Sequence, residues 1–170
     1  GGAFDAEGRR LATAGSDGKV RLWEVATGRL LRTMPGHGEW AVGVAWTRDG
    51  ARVVSGGADR VVRIWDAKTG AEVAALRGHT GPVLGVAMTL DGRQVASAGQ
   101  DGAVKLWDPA TGLEVKTLPG HGEAVRCVAY SPDGRRLASG GADRKVRVWD
   151  LTTGAETLAF PAASGRIDGI

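Results

Sequence analysis

Residues 29–68 read RLLRTMPGHGEWAVGVAWTRDGARVVSGGADRVVRIWDAK, and the order of apolar runs and turn residues in this stretch decides the fold. RLLRTM has the pattern of a short strand, PGHGE breaks it, AVGVAW is nearly all apolar, and TRDG turns the chain. ARVVSGG is apolar again, ADR turns once more, and VVRIWD supplies a fourth strand before AKTG leads out. Four strands of about five to seven residues, separated by Asp-Gly or Gly-rich turns, predict a small antiparallel meander. No segment carries a 3.6-residue apolar period over helical length, so no helix is predicted.

The two middle strands are apolar on both faces, with Val42, Val44 and Trp46 beside Ala41 and Ala45, and with Val53 next to Val54. A strand with one wet face would alternate cleanly. These strands therefore call for neighbouring sheets above and below. Equal sheets stacked face to face and repeated by rotation make a β-propeller; a flat solenoid would bury the same faces.

The same pattern recurs along the whole chain. Trp23, Trp65, Trp107 and Trp149 are 42 residues apart, as are Asp17, Asp59, Asp101 and Asp143. His37, His79 and His121 keep the interval, and so do the pairs Asp49-Gly50, Asp91-Gly92 and Asp133-Gly134. A fixed period of this length marks one supersecondary unit copied in tandem, each too thin to bury its own apolar face. The 170 residues divide into four units, roughly 1–28, 29–70, 71–112 and 113–154, with 155–170 opening a further, degenerate repeat.

Composition narrows the chemistry. A single cysteine excludes an internal disulfide framework or thiolate metal site, and Cys127 falls where the other copies carry Gly43 and Gly85, as a small buried filler would. The net charge of +3 is spread through the turns without aromatic interleaving, so no nucleic-acid stripe is expected. No apolar run approaches the ~18 residues of a membrane helix, and no signal peptide pattern is present; a cytoplasmic location is expected.

The "GH" pairs Gly36-His37 and Gly78-His79, with "WD" at Trp65-Asp66, Trp107-Asp108 and Trp149-Asp150, make the chain resemble the WD-repeat family of β-propellers over essentially its whole length. Its style resembles bacterial tandem arrays. The resemblance implies an all-β propeller of four-stranded antiparallel blades, here a half-ring or fragment of a seven- or eight-bladed ring. It also implies a hydrogen-bonded tetrad in each copy: His37, Ser55, Asp59 and Trp65, then His79, Ser97, Asp101 and Trp107, then His121, Ser139, Asp143 and Trp149. The first copy retains Thr13, Asp17 and Trp23. A buried indole N–H needs an acceptor and a buried imidazole needs partners on both nitrogens, so the set is chemically coherent.

Ser, His and Asp are also the parts of a hydrolytic triad. Three identical buried copies joined to Trp are instead an architectural staple, because a nucleophile is needed once and in a cleft. The three His fall in three different blades, so no metal site is expected. SGG and SAG lack the Lys and following helix of a phosphate loop. No catalytic residue and no cofactor is expected.

Departures from the period carry the functional signal. Trp46 shares a core slot with Phe4, Met88 and Tyr130, but the equivalents of Trp40 are Pro82 and Ala124. The resemblance puts Trp40 at the rim of the top face, as an interface anchor. By the same resemblance Val42, Leu84, Arg126 and Gln100, with Ser16, Ala58, Pro82, Ala124 and Ala142, form the variable top face. This mixture of apolar residues with one charge suits a protein or peptide better than phosphate-rich nucleic acid. Two further departures are Glu24, in place of the Asp of "WD", and Ala163, where a fifth tetrad His would begin.

Four blades leave apolar sheet faces open. Three arrangements meet this: a piece of a longer reading frame, a half-propeller that dimerises head to tail into an eight-bladed ring, or a strained four-blade ring. The expected function is a non-catalytic scaffold that displays loops to a protein or peptide, with no nucleic acid or membrane partner. The competing class is a regulatory or sensor segment of a larger multidomain enzyme, such as a kinase, protease-like or nucleotide-switch protein. A catalytic propeller is the third.

Overall fold

A computed structural model describes residues 1–162, 165 and 167–170; the Ala163 position lies outside the described residues. Four antiparallel four-stranded sheets follow one another along the chain. The first holds β1 (Gly2–Phe4), β2 (Arg10–Ala14), β3 (Lys19–Glu24) and β4 (Leu30–Pro35). The second holds β5 (Ala41–Trp46), β6 (Arg52–Gly57), β7 (Val61–Asp66) and β8 (Glu72–Arg77). The third holds β9 (Val83–Met88), β10 (Val95–Gly99), β11 (Val104–Trp107) and β12 (Glu114–Leu118). The fourth holds β13 (Val125–Tyr130), β14 (Arg136–Gly141), β15 (Lys145–Asp150) and β16 (Glu156–Pro161). Among the described residues there is no helix.

Local chemistry sets these elements. At the first turn of the second sheet, Gly50 takes φ 63°, which a residue without Cβ adopts freely. Thr47 Oγ1 and the Ala51 amide both donate to Asp49 Oδ1, closing the turn. Each third strand pairs with the fourth through a bulge at its Trp, as between Ile64 and Trp65. Such a bulge bends the strand and raises its local twist.

The sequence repeat and the sheet are offset by one strand. RLLRTM, read above as the opening strand of the second unit, is β4 and pairs with β3 of the first sheet. VVRIWD is the third strand of its sheet rather than the fourth, and Glu156–Pro161, assigned to a further repeat, completes the fourth sheet. The difference is physical: strand periodicity marks where strands lie, but which neighbour accepts a strand's hydrogen bonds is a non-local choice.

The core consists of three apolar layers between successive sheets. Ala12, Leu22 and Met34 meet Val53 and Trp65; Val54, Ile64 and Leu76 meet Val83, Val95 and Trp107; Leu106 and Leu118 meet Val125, Leu137 and Trp149. Each fully buried side chain of this size contributes about 1.5–3 kcal/mol. The innermost strands β1, β5, β9 and β13 lie side by side, so closely that a Cβ on Gly85 would stand 2.7 Å from the Arg126 carbonyl oxygen. A closed four-sheet ring does not form: Phe4 on the first sheet is 61% exposed and Phe160 on the fourth is 43% exposed.

Candidate functional site

In the second sheet, Trp65 on β7 donates its indole N–H to Ser55 Oγ on β6 at 2.8 Å. Ser55 Oγ also lies 2.8 Å from His37 Nε2, and His37 Nδ1 lies 2.8 Å from Asp59 Oδ1 in the β6–β7 turn. Because Ser55 accepts from the indole, its own hydrogen is available to Nε2, which leaves Nδ1 protonated and donating to the carboxylate. The third sheet repeats the set, with Trp107 to Ser97 at 2.8 Å, Ser97 to His79 at 2.7 Å and His79 to Asp101 at 2.9 Å. In the fourth sheet the corresponding distances for Trp149, Ser139, His121 and Asp143 are 2.9, 2.7 and 3.0 Å. The first sheet keeps only Trp23 donating to Thr13 Oγ1 at 2.9 Å, and its Asp17 pairs with Arg21.

Basic side chains extend the staple, a feature absent from the sequence reading. Arg63 on β7 is buried, and its guanidinium bridges Asp59 Oδ2 at 2.6 Å and Glu72 Oε2 on β8 at 2.9 Å. Arg147 does the same with Asp143 and Glu156. The i,i+4 spacing of Asp59 and Arg63 across a tight turn is the signal that would have found them.

Burial pushes the His37, His79 and His121 pKa values below the ordinary imidazole value, against the opposing pull of their carboxylates. Burial also pushes Asp59 upward, but hydrogen bonds from His37, Arg63 and the Gly38 amide outweigh it and hold the carboxyl below its usual range. The imidazoles therefore stay neutral and the carboxylates ionised at neutral pH. The order Asp–His–Ser matches that of a hydrolytic triad, but Ser55, Ser97 and Ser139 are fully buried and each Oγ already accepts an indole N–H. No carbonyl substrate can reach these oxygens. Cys127 is buried too, with its thiol pushed up by burial and turned to the Gly140 carbonyl. Among the described residues no group of three or more His, Cys, Asp or Glu is placed to hold a metal ion, and no helix is long and apolar enough to cross a membrane.

The exposed chemistry lies at the rim where the staples begin. Trp40 immediately precedes β5 and is 64% exposed. Its carbonyl accepts the Ala58 amide at 2.8 Å, and the same bond joins Pro82 to Gln100 and Ala124 to Ala142. These bonds bring the two variable segments of each blade together in pairs. Ser16, Asp17, Gly38 and Glu39 form with Trp40 a cleft of about 360 Å³. Glu39 also borders a second cleft of about 340 Å³ with Arg60 and Arg77. Val42, Leu84 and Arg126 lie near the start of the innermost strands β5, β9 and β13 and are half-buried. Arg126 pairs with Asp168 at 3.5 Å.

The opposite rim holds a larger groove of about 600 Å³ that sequence reasoning missed, bordered by Asp5–Arg10 and Arg48–Gly50. Its buried carboxylate, Asp5, and the neighbouring Arg10 are paired. Asp5 accepts from Arg9 N, Arg10 N and Arg10 Nε, and Arg10 Nη2 donates to the Gly50 carbonyl while its guanidinium covers the Trp46 ring at 4.7 Å.

The sequence pattern described as "WD domain, G-beta repeat" matches residues 3–24, 28–66, 70–108 and 112–150. The chain belongs to the WD-repeat family. It is similar to WD repeat domain-containing protein 83 of Danio rerio, with 51% identity over 35 residues, 21% of this chain and 11% of that protein. It is also similar to an uncharacterized WD repeat-containing protein of Nostoc, with 50% identity over 38 residues, 22% of this chain and 2% of that protein. The matched segments thus span small fractions of those relatives. The WD-repeat blades account for the spacing of Trp, Asp, His and Ser as recurrent staples, and leave Trp40 as a residue the repeat does not explain.

Proposed function

We propose that this WD-repeat segment is a non-catalytic scaffold that presents its top rim to a protein or peptide. WD repeats in general mediate protein–protein interaction, and the observation supporting this surface is Trp40, a large apolar side chain left in solvent beside backbone-tied loops. A rim held by staples costs little ordering entropy on binding. Asp17 and Glu39 on one side, with Arg60 and Arg77 on the other, suit a bulky residue flanked by both charge signs. Val42, Leu84, Gln100 and Arg126 are the further contacts we assign to this surface.

Peptides selected from a displayed library on the intact chain supply the test. An exposed Trp at the centre of an interface contributes at least about 2 kcal/mol, so Trp40→Ala should weaken rim-directed peptides by at least about thirtyfold while the thermal midpoint stays unchanged. Binding indifferent to Trp40→Ala removes the residue from the interface. The alternative reading is a regulatory segment of a larger enzyme; the similar WD repeat-containing protein of Nostoc is far longer than the segment it shares with this chain.

A further inference from the structure

The turn beside Trp40 departs from the repeat in its backbone chemistry. Gly57–Arg60 is the tight turn between β6 and β7, closed by the Arg60 amide on the Gly57 carbonyl at 3.1 Å. Arg60 sits in the left-handed region at φ 67°. The first and third sheets fill the same place with Gly18 and Gly102, at φ 74° and 78°, and glycine adopts this backbone without a Cβ clash. Arg60 accepts a strain that the repeat's own alternative avoids, and such strain gathers at binding sites.

Arg77 is a second departure. Its equivalents at 42-residue steps are Pro35, Pro119 and Pro161. Pro35 and Pro161 end β4 and β16 as Arg77 ends β8, so the backbone does not call for an arginine there. Arg144 repeats the left-handed backbone at φ 60°, but Pro161 faces its neighbour Lys145. Only in the second sheet do two arginines meet: Arg77 pairs across the strands with Val61, the residue after Arg60.

Both guanidinium groups are uncommitted. Arg21, Arg63 and Arg147 are paired with carboxylates. Arg60 and Arg77 are exposed and, among the described residues, their side chains make no hydrogen bond or ion pair. They line the cleft of about 340 Å³ together with Glu39, Asp59 and His79. Asp59 is already held by His37, Arg63 and the Gly38 amide, and His79 by Asp101 and Ser97. The charges left over are two guanidinium groups and the Glu39 carboxylate, a surplus of one positive charge. Glu39 also borders the cleft of Trp40, and the Trp40 carbonyl is bonded to Ala58 in the turn that carries Arg60.

We infer that the peptide bound at this rim carries an Asp or Glu whose carboxylate enters between Arg60 and Arg77, while an apolar side chain close to it in sequence meets Trp40. The inference rests on the rim reading above and names the chemistry of its ligand. The planar fork of arginine matches a carboxylate in geometry. One carboxylate balances the surplus charge, whereas a phosphate dianion would bring a second negative charge up to Glu39.

Peptides selected from a displayed library on the intact chain should share an acidic residue near an apolar one. A selected peptide is then compared with its Glu→Gln or Asp→Asn twin, and with a phosphoserine version. The amide twin should bind about tenfold more weakly, the combined effect of two part-exposed ion pairs, and added NaCl should narrow the gap. Arg60→Gly with Arg77→Pro restores the residues of the other sheets, so this variant should melt no lower than the parent. It should bind the acidic peptide and the amide twin equally. Peptides that need Trp40 but ignore both arginines would overturn the inference and leave the rim reading intact. Acid-dependent peptides lost with the arginines but indifferent to Trp40→Ala would sink the Trp40 reading alone. A phosphoserine version binding more than about tenfold tighter than the carboxylate would replace the carboxylate by phosphate, and a selection yielding no peptide that needs Arg60 or Arg77 would end the proposal.

Discussion

Replacing Ser97 with Ala removes one oxygen from the third sheet, and that oxygen serves two buried groups. Trp107 Nε1–H loses its acceptor and His79 Nε2 loses its donor, both at 2.7–2.8 Å. Ser97 and Trp107 have no exposure, so bulk water cannot replace the hydroxyl. Moving the imidazole proton to Nε2 gives no relief, because Nδ1 would then face the Asp101 carboxylate with its lone pair. Each orphaned group costs about 1–3 kcal/mol, so the substitution should cost about 2–6 kcal/mol. With a urea slope near ~2 kcal/mol/M, the midpoint followed by Trp fluorescence should fall by about 1–3 M. Ser97→Thr retains the oxygen, as Thr13 does in the first sheet, and should lose much less. If Ser97→Ala shifts stability by under ~0.5 kcal/mol, the level usual for surface changes, the hydroxyl does not hold the tetrad together.

Gly85→Ala should destabilise by about 1–3 kcal/mol, as overpacking does, since its Cβ would press on the backbone of Arg126 and Cys127; Gly38→Ala, with nothing within 4 Å, should melt like the parent. Stability should also fall in acid in two stages. The histidines bind protons less well folded than unfolded, so the chain loses stability as pH drops below ~6.5; the lowered staple carboxylates add a second loss below ~3.9. Thermal midpoints between pH 8 and 3 check this, and a midpoint that rises on acidification from pH 7 to 5 contradicts neutral buried imidazoles.

The spacing of Trp, Asp, His and Ser made the blades legible, because a repeat declares equivalent environments without declaring coordinates. The offset between repeat and sheet was not legible: RLLRTM is a strand by its own pattern, but only the partner β3 decides its sheet. Arg63 and Arg147 were hidden for another reason. As charged residues between apolar neighbours they read as solvent-facing, and only the carboxylates on both sides make their burial tolerable. Trp40 stood out because exposure of an aperiodic Trp follows from the absence of a repeated partner.

The one-strand offset has a consequence for how such arrays lengthen. A duplicated 42-residue stretch does not deliver a self-contained sheet; it delivers the outer strand of its predecessor and three strands of its own. The incoming His binds within the new sheet, while the strand ahead of it is sewn into the old one. Each added copy is thus grafted into its neighbour from the moment it appears, and an ancestral gene can grow by copying without ever passing through a seam.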